Sequence, residues 1–464
     1  MGIFGALSTA ISGLEAQSTA LSNISNNIAN SQTTAFKRTE TTFEEIVASS
    51  GANVAGSGVV RANSQSTNTV SGDILPSDVD THIAINGDGY FIIAEQTDTA
   101  DGNPVFGSVD LYTRVGDFEV DRNGFLVNSS GYFLKGIAVN AQTGNLAGTL
   151  PEVIQISNEK LPAQATTTID YRANVPTNPK TSTADSSIPG SEFLDETVSL
   201  FTVDPTSTST GGVGVIQFQD EATFLARSIA GGAVTSFTAN GASLNVQVRW
   251  AKLSTAPDTW NAFYQTDSVT STATDTIWQN FNQEYVFAND GSLTTPATSA
   301  TTIPALTVNG INLGSVNIDH RSPNGSGGLS QFEDVNGQVQ VNAIDQNGFP
   351  AGDLSSVSIT DVGRVTGIFT NGETVDLAEV TLAAFNADGA LRKDDGGALR
   401  ETPNSGSPIL GAQGTIVGSS LESSNTDIAD EFSKLIITQQ AYAAGTRIVT
   451  TADEMLQEAL NMVR

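Results

Sequence analysis

Apolar residues recur at a spacing of seven in two segments of the chain, residues 1–36 and 421–464. A heptad repeat with some intermediate positions also apolar is typical of a helix that packs along another helix. We therefore predict one helix at each end of the chain and a coiled-coil assembly domain formed by both. The predicted seam residues are Leu7, Ile11, Leu14, Leu21, Ile28, Ile428, Phe432, Leu435, Tyr442, Val449, Leu456 and Val463.

The N-terminal segment suits an interface between subunits better than the surface of an isolated helix. Before Lys37 its only charged residue is Glu15, and Ser, Thr and Asn dominate between the seam positions. Because these side chains compete with the helical backbone for hydrogen bonds, the helix should be weak without partners. In the simpler alternative, each stripe is the buried face of a helix in a globular domain. We interpret both termini as assembly elements.

Two residues of the C-terminal segment bear on its helix. Ser424, three residues before Asp427, is a plausible N-terminal cap. Gly445 interrupts the helix and costs about 1 kcal/mol relative to Ala. Either the close approach of a neighbouring backbone or a tolerated defect would explain this glycine, and both explanations stay open.

Between the terminal segments the apolar period changes to two, as in Ile83 and Ile85, which predicts β-strands. Asn-Gly and Asp-Gly dipeptides separate these runs and favour two-residue hairpin turns. The interior is therefore predicted to be a series of β units. The predicted turn glycines are Gly87, Gly89, Gly124, Gly241, Gly291, Gly310, Gly337, Gly348, Gly372 and Gly389.

The order of these segments predicts a nested, multidomain, mainly β protein with terminal α-helices. Residues 37–73 are rich in Ser, Gly and Asn and are expected to form an extended linker. Since the helices are terminal and should meet, the β domains must be inserted between them. We expect a discontinuous inner β domain from residues 74–155 and 341–420, and one or two outer β domains from residues 156–340.

Charge restricts the partners that the protein can have. The 464 residues include 20 Lys and Arg against 50 Asp and Glu, a formal net charge of −30. Such an acidic surface disfavours nucleic acid and anionic membranes as partners. No apolar run approaches the roughly 20 residues of a membrane-spanning helix. The first positive charge is Lys37, so we expect export, if it occurs, without a cleaved signal peptide.

The sequence offers little chemistry for catalysis. It has no cysteine, and its two histidines, His82 and His320, are far apart, so thiolate and histidine-rich metal sites are not expected. The Asp, Asn and Gly clusters lack the spacing of calcium loops and are interpreted as turns. Nucleotide, hydrolase and metalloprotease motifs are also missing. We predict no catalytic residue, no metal and no cofactor, and hence no enzyme.

Several motifs resemble the axial proteins of the bacterial flagellum. Residues 11–14 (ISGL), 21–30 (LSNISNNIAN) and 35–37 (AFK) look like the N-terminal signature of the rod and hook proteins, and residues 421–427 (LESSNTD), 441–442 (AY) and 451–456 (TADEML) resemble the C-terminal one. Residues 84–91 (AINGDGYF) and 112–118 (YTRVGDF) are similar to the inner β domain that these proteins share. Rod members are much shorter and lack a large insertion, so the resemblance implies the hook branch.

This resemblance implies a structural role. The expected polymer is a flexible, curved, hollow tube at the cell surface, with terminal helices around an export channel, that passes torque from rod to filament as a universal joint. Besides other copies of the chain, the implied partners are the distal rod, the hook cap, the hook-filament junction proteins and the flagellar export apparatus, which would export the chain unfolded. The alternatives are a distal rod protein and, in another class, a secreted β-rich adhesin or binding module.

Overall fold

The computed structural model describes residues 3–46, 59–100, 102–140, 143–157, 159–194, 200–269, 272–320, 327–411 and 414–462. Its contacts divide the chain into two compact units: Met1–Glu159 with Leu354–Arg464, and Lys160–Asp353. The second unit is thus inserted into the first. The described residues form three α-helices, α1 (Ile3–Ala29), α2 (Glu221–Ala226) and α3 (Ile428–Met462), and many short strands, which confirms the mainly β fold with terminal helices.

In the first unit, helices α1 and α3 pack against each other in antiparallel directions. Asn27, near the end of α1, donates a hydrogen bond of 3.0 Å to Glu431 near the start of α3, whereas Leu14 of α1 lies beside Gly445 further along α3. The N-terminal cap of α3 is Asp427, whose Oδ1 accepts from the backbone of Ala429 at 2.8 Å. The prediction of Ser424 as cap is wrong, because its hydroxyl accepts from Thr426, before the helix begins.

Strands supply the rest of the first unit. Their bounds are Thr39–Ile46, Val59–Ser66, Ile74–Pro76, Ile83–Asn86, Tyr90–Ala100, Asn103–Phe106, Leu111–Thr113, Glu119–Val120, Leu126–Val127, Tyr132–Ala138, Glu152–Val153, Leu354–Ile359, Arg364–Phe369, Thr374–Val380, Leu382–Ala384, Arg392–Lys393, Ala398–Arg400, Ile409–Leu410, Thr415–Gly418 and Ser420–Glu422. Short 3₁₀ turns lie at Asp388–Ala390 and Asp395–Gly397.

Within the segment expected to be an extended linker, residues 37–73, the described residues 37–46 and 59–73 largely form the two strands of a β-hairpin. Strands Thr39–Ile46 and Val59–Ser66 pair along their whole length in antiparallel register. The hairpin packs on α1, where the Asn23 amide donates to the hydroxyls of Thr41 and Ser64 at 2.8 Å each. The linker prediction is therefore wrong, and the reason is that these mostly polar strands are stabilised by contacts with the helix.

The β body of the first unit is built around the strand Tyr90–Ala100. Its first five residues are buried, and it pairs with Tyr132–Ala138, Leu111–Thr113 and Leu382–Ala384. Strand Thr374–Val380, which follows the insertion, pairs with Tyr132–Ala138, which precedes it. The two parts of the first unit thus share one sheet. Its core includes Ile83, Ile85, Phe91, Ile93, Phe118, Leu126, Leu134, Val365, Val380 and Ile416.

The second unit consists of two sheets, helix α2 and two 3₁₀ turns, Thr208–Thr210 and Phe218–Asp220. One sheet contains, in spatial order, Val215–Gln217, Thr276–Phe287, Asp258–Gln265, Ser243–Thr255 and Ile229–Phe237, with Leu293–Thr295 beside Thr276–Phe287. The other contains Ala300–Val308, Ile311–Asp319, Thr168–Val175 and Ser330–Gln331, with Gln340–Gln346 beside Thr168–Val175. Large aromatic residues fill the core: Tyr171, Trp250, Trp260, Tyr264 and Tyr285.

The boundaries of the insertion differ from the predicted ones. Strand Gln340–Gln346 pairs with Thr168–Val175, so residues 341–353 belong to the second unit and their assignment to the inner β domain is wrong. The first and last residues of the unit are neighbours, since Lys160 Nζ lies 2.6 Å from Asp353 Oδ1. The finer division of the first unit into a helical and an inner β domain stays a prediction.

The predicted turn chemistry is largely observed. Most of the turn glycines have a positive φ, which disfavours side chains with a Cβ. Gly348 and Gly389 are the exceptions. The glycines with positive φ are Gly87, Gly89, Gly124, Gly241, Gly291, Gly310, Gly337 and Gly372.

Candidate assembly surface

The predicted seam residues of α1 divide between its buried and exposed sides. Leu7, Leu14, Leu21 and Ile28 are half-buried, whereas 52% of Ile11 is exposed. The most buried side of the helix is formed by residues outside the predicted seam, most of which are small or polar. Its members are Ala16, Ala20, Ile24 and Asn27.

The predicted seam of α3 is divided in the same way. Leu435, Val449 and Leu456 are half-buried and lie within about a quarter turn of Gly445 on the helix surface, on the side of α1. Three predicted seam residues are instead partly exposed: Ile428 (42%), Phe432 (50%) and Tyr442 (39%). Val463 lies outside the described residues. The prediction that these positions form one assembly seam is untested by the fold of a single chain.

A row of small and polar residues, which the apolar pattern did not reveal, brings α3 close to α1. Glu431, Thr438 and Ala452 are buried, and with Gly445 they repeat at a spacing of seven. A Cβ on residue 445 would lie 2.9 Å from Leu14 Cδ2. Close approach of α1 therefore accounts for the glycine, although the neighbour is a leucine side chain. The heptad spacing of small residues is the signal that could have revealed this contact.

Helix α3 also carries two exposed apolar strips. We call Ile428, Phe432 and Ile436 flank A, and Ile437, Ile448 and Met455 flank B. Their exposed fractions are 42%, 50% and 53% for flank A, and 67%, 53% and 53% for flank B. Large apolar residues at such exposure along one helix are typical of a surface that another molecule covers.

At the base of the helices, three ionic side chains meet in a buried cluster. Glu422 Oε1 lies 2.5 Å from Lys37 Nζ, and its Oε2 lies 3.5 Å from Arg114 Nη1. The backbone amide of Gly72 also donates to Glu422 Oε1, at 2.8 Å. All three side chains are more than nine-tenths buried. We call Lys37, Arg114 and Glu422 the ion cluster.

In the ion cluster, the negative charge of Glu422 compensates the buried positive charges of Lys37 and Arg114. Burial lowers the pKa of Lys37, Glu422 opposes this shift, and the Arg114 guanidinium adds to it. Two buried cations share one carboxylate, so Glu422 is the group that makes the burial of both tolerable. Arg114 finds further partners in the carbonyl oxygen of Gly87, at 2.7 Å, and in the ring of Tyr90.

Neighbouring contacts fix the same junction. The amide of Asn425 accepts from the backbone of Arg38 at 2.8 Å and donates to Val70 and Thr67 at 3.0 Å. The backbone of Ala35 donates to the carbonyl oxygen of Glu422 at 2.8 Å. The chain leaving α1 and the chain entering α3 are thus joined to each other and to the β body.

Sequence reasoning missed the ion cluster, because its members lie 308 and 385 positions apart in the chain. Two signals could have found it. Lys and Arg are scarce, with 20 among 464 residues, and each cluster member lies in a segment that resembles one of the flagellar signatures.

Each of the two histidine rings lies within hydrogen-bond distance of a hydroxyl group. His82 Nδ1 lies 2.8 Å from the Ser77 hydroxyl, and the fully buried His320 has its Nε2 3.1 Å from the Thr301 hydroxyl. Within the described residues, no group of three or more His, Cys, Asp or Glu side chains could hold a metal ion. No described helix is both long and apolar enough to cross a membrane.

Three models of known protein families match the three segments of the chain that contain the residues of the ion cluster. Residues 7–37 match the model of the flagella basal body rod protein, residues 84–175 the D1 domain of the flagellar hook protein FlgE/F/G, and residues 417–462 the C-terminal model of the flagellar basal body rod FlgEFG protein. The chain belongs to the flagellar hook and rod protein family. Lys37, Arg114 and Glu422 each lie within one of these matches.

Relatives in the hook and rod family match the chain from end to end. The flagellar hook protein FlgE of Escherichia coli is 28% identical, over 98% of this chain and 100% of its own length. FlgE of Caulobacter vibrioides is 26% identical over the whole of both chains. The crystal structure of Helicobacter pylori flagellar hook protein FlgE2 is 16% identical, covers 75% of this chain and 100% of its own, and has a TM-score of 0.48.

These relatives identify the branch of the hook and rod family. Both full-length relatives are named as hook proteins, so the chain is a structural subunit of the flagellar hook. Because the family is structural, the expectation that the chain is not an enzyme is confirmed. Family membership also makes it a self-assembling part of the flagellar axial structure, located in the hook outside the cell.

Proposed function

We propose that copies of this chain polymerise through α1 and α3 into a curved, hollow tube that works as a universal joint between rod and filament. The observation that carries this proposal is the exposure of flanks A and B. Each of their six large apolar side chains has at least 42% of its surface exposed in the single chain.

Covering these flanks would stabilise a polymer. Full burial of a large apolar side chain contributes about 1.5–3 kcal/mol, so six half-exposed side chains can together contribute several kcal/mol per subunit. The contact repeats at every subunit, which makes even a modest gain sufficient for a long tube. The weak helix propensity of the Ser- and Asn-rich α1 fits a helix that is stabilised by such contacts.

The distribution of charge also favours contacts between copies through α3. The chain carries a formal charge of −30, so copies repel each other over most of their surface. Between Lys434 and Asp453, however, the sequence contains a single charged residue, Arg447. This stretch of α3, which contains Ile436, Ile437 and Ile448 of the flanks, is one where two copies can approach with little repulsion.

The inserted unit suits the mechanical part of the proposal. A curved tube that rotates must lengthen the spacing of subunits on its outer side and shorten it on its inner side in every revolution. Contacts made by the unit Lys160–Asp353 should therefore be small, polar and wet, so that they slide without a large barrier. Its surface sequence, rich in Ser, Thr, Asn and Gly, supports this.

The proposed partners at the two ends of the tube are the distal rod on one side and the hook cap, later the hook-filament junction proteins, on the other. The proposed route out of the cell is the flagellar export apparatus. A terminal subunit would present α1 and α3 to a partner that offers similar helices, which supports related axial proteins as neighbours.

Electron microscopy of the purified, polymerised chain tests the proposal. We expect curved, hollow tubes. Straight tubes would contradict the proposed universal joint, and failure to polymerise under conditions that assemble a FlgE from another bacterium would contradict the proposed polymerisation.

A further inference from the structure

The two apolar flanks point in different directions around α3 and do not form a single binding face. At about 100° per residue, flank A lies about 120° to one side of the direction that faces α1, and flank B about 90° to the other side. The flanks therefore lie on opposite sides of the helix pair. One partner molecule on one side could not cover both.

Two different apolar surfaces on opposite sides are what a repeating contact requires. A twofold dimer uses the same patch on both copies, whereas an open polymer joins one patch to a different patch on the next copy. Flanks A and B each offer three large apolar side chains, and neither contains a charge. A second copy of α3 is therefore an occupant of matching size and chemistry for each flank.

The flanks also lie at different heights along α3. Flank A is centred on Phe432 and flank B on Ile448, sixteen residues further on, which corresponds to about 24 Å at 1.5 Å per residue. Without a stagger, flank A would face the first turns of the next α3 on its flank B side, where the exposed carboxylate of Asp430 lies. Burying apolar side chains against that carboxylate would be unfavourable.

We infer that neighbouring copies join flank A of one α3 to flank B of the next, in parallel and staggered by about 24 Å along the helix. This inference rests on the proposed polymerisation and specifies its contact. The stagger places Phe432 of one copy beside Ile448 of the next. Arg447 lies between the flanks on the side away from α1 and stays outside the contact.

Disulfide cross-linking tests the stagger cleanly, because the chain contains no cysteine of its own. The variant F432C/I448C places thiols at the predicted contact. The variant F432C/I437C tests a much smaller stagger of about 7.5 Å, and the single variants F432C and I448C test a twofold contact. Each variant is first confirmed to polymerise by electron microscopy, then oxidised and analysed on a denaturing gel. If F432C/I448C does not polymerise, I428C/A444C, which has the same spacing of sixteen residues, replaces it.

We expect F432C/I448C to give a ladder of dimers, trimers and longer chains with loss of the monomer band, since a head-to-tail contact links each copy to two others. The single variants should stay monomeric on the gel. A ladder from F432C/I437C alone, dimers from a single variant, or polymers in which no pair cross-links would overturn the stagger while leaving the proposed function intact. Failure of the unsubstituted chain to polymerise would overturn both.

Discussion

Gly445 of α3 lies so close to Leu14 of α1 that a Cβ on residue 445 would lie 2.9 Å from Leu14 Cδ2 and 3.2 Å from Leu14 Cγ. In the interior of a helix, glycine costs about 1 kcal/mol relative to alanine. The close approach of the two helices offsets that cost.

Replacing Gly445 by alanine should therefore give less stability than helix propensity alone predicts. The added methyl group must displace Leu14, so G445A should leave the temperature of polymer dissociation unchanged or lower it. In a Leu14→Ala background the same substitution should raise it, because the space is then free. The control is Gln440→Gly, on the exposed side of α3 between the flanks, which should lower stability by about 0.5–1 kcal/mol. An equal gain from G445A in both backgrounds would contradict the account.

Removing the negative charge of the ion cluster should destabilise the first unit. In Glu422→Gln, the buried cations Lys37 and Arg114 lose their shared counter-charge, and the free energy of unfolding should fall by about 3–5 kcal/mol. The control is Asp430→Asn, which removes an exposed carboxylate 2.8 Å from Lys434 and should cost less than about 1 kcal/mol. Urea unfolding of both variants measures the difference, and equal losses would contradict the importance of the buried cluster.

The lowered pKa of Lys37 makes a prediction about pH. The folded chain binds its proton less strongly than the unfolded chain, because burial lowers the pKa of Lys37 from its usual 10.5. Stability should therefore rise with pH towards that value and be lost as pH falls through the folded pKa. Relative to Lys37→Met, the unsubstituted chain should show a steeper increase in the free energy of unfolding as the pH rises towards 10.5.

The pH range is limited because buried tyrosines act in the opposite direction. Burial raises the pKa of Tyr90 and Tyr112 above the usual value of 10.0, so these groups destabilise the fold once the pH exceeds about 10. Identical pH slopes for the unsubstituted chain and Lys37→Met, measured by urea unfolding, would show that Lys37 does not titrate differently in the folded state.

Deleting the second unit should preserve assembly and change the shape of the tube. Its ends are adjacent, because the backbones of Leu161 and Gly352 pair through a hydrogen bond of 2.9 Å, so a short Gly-Ser link between residues 159 and 354 can replace it. Electron microscopy should show tubes that are straighter or stiffer than those of the full chain. Loss of all polymer would show that this unit holds the tube together, and unchanged curvature would show that it does not shape it.

The parts of the fold that the sequence predicted are those with strong local periodicity. The heptads gave α1 and α3, and the alternating apolar residues around Ile83 and Ile85 gave the β body. The strand Thr39–Ile46 was not predicted, and the strand Gln340–Gln346 was assigned to the wrong domain, because most of their residues are polar or exposed. Strand Thr39–Ile46 depends on contacts with α1, and strand Gln340–Gln346 on pairing within the second unit. A local sequence pattern does not reveal such contacts.

The assembly surface was predicted only in part for a related reason. Large apolar residues mark a heptad, but they do not show which side meets α1 and which side stays exposed. Phe432 was assigned to the same seam as Leu435, yet Phe432 is half-exposed, whereas Leu435 is half-buried and lies within about a quarter turn of Gly445. The small residues Thr438, which is buried, and Gly445, which lies beside Leu14, carry no apolar signal. The ion cluster depends on contacts between distant segments.

The central claim is that the polymer is held together by α1 and α3, and sedimentation of assembled protein tests it most directly. Leu435→Asp and Leu456→Asp place a carboxylate between the helices, at a cost of several kcal/mol in every subunit, whereas Gln440→Asp places one on the exposed side of α3, between the flanks. Circular dichroism should show the β body folded in all three. The account predicts pelleted polymer from the unsubstituted chain and Gln440→Asp and none from the two leucine variants; polymer from Leu435→Asp and Leu456→Asp at the level of the unsubstituted chain would contradict it.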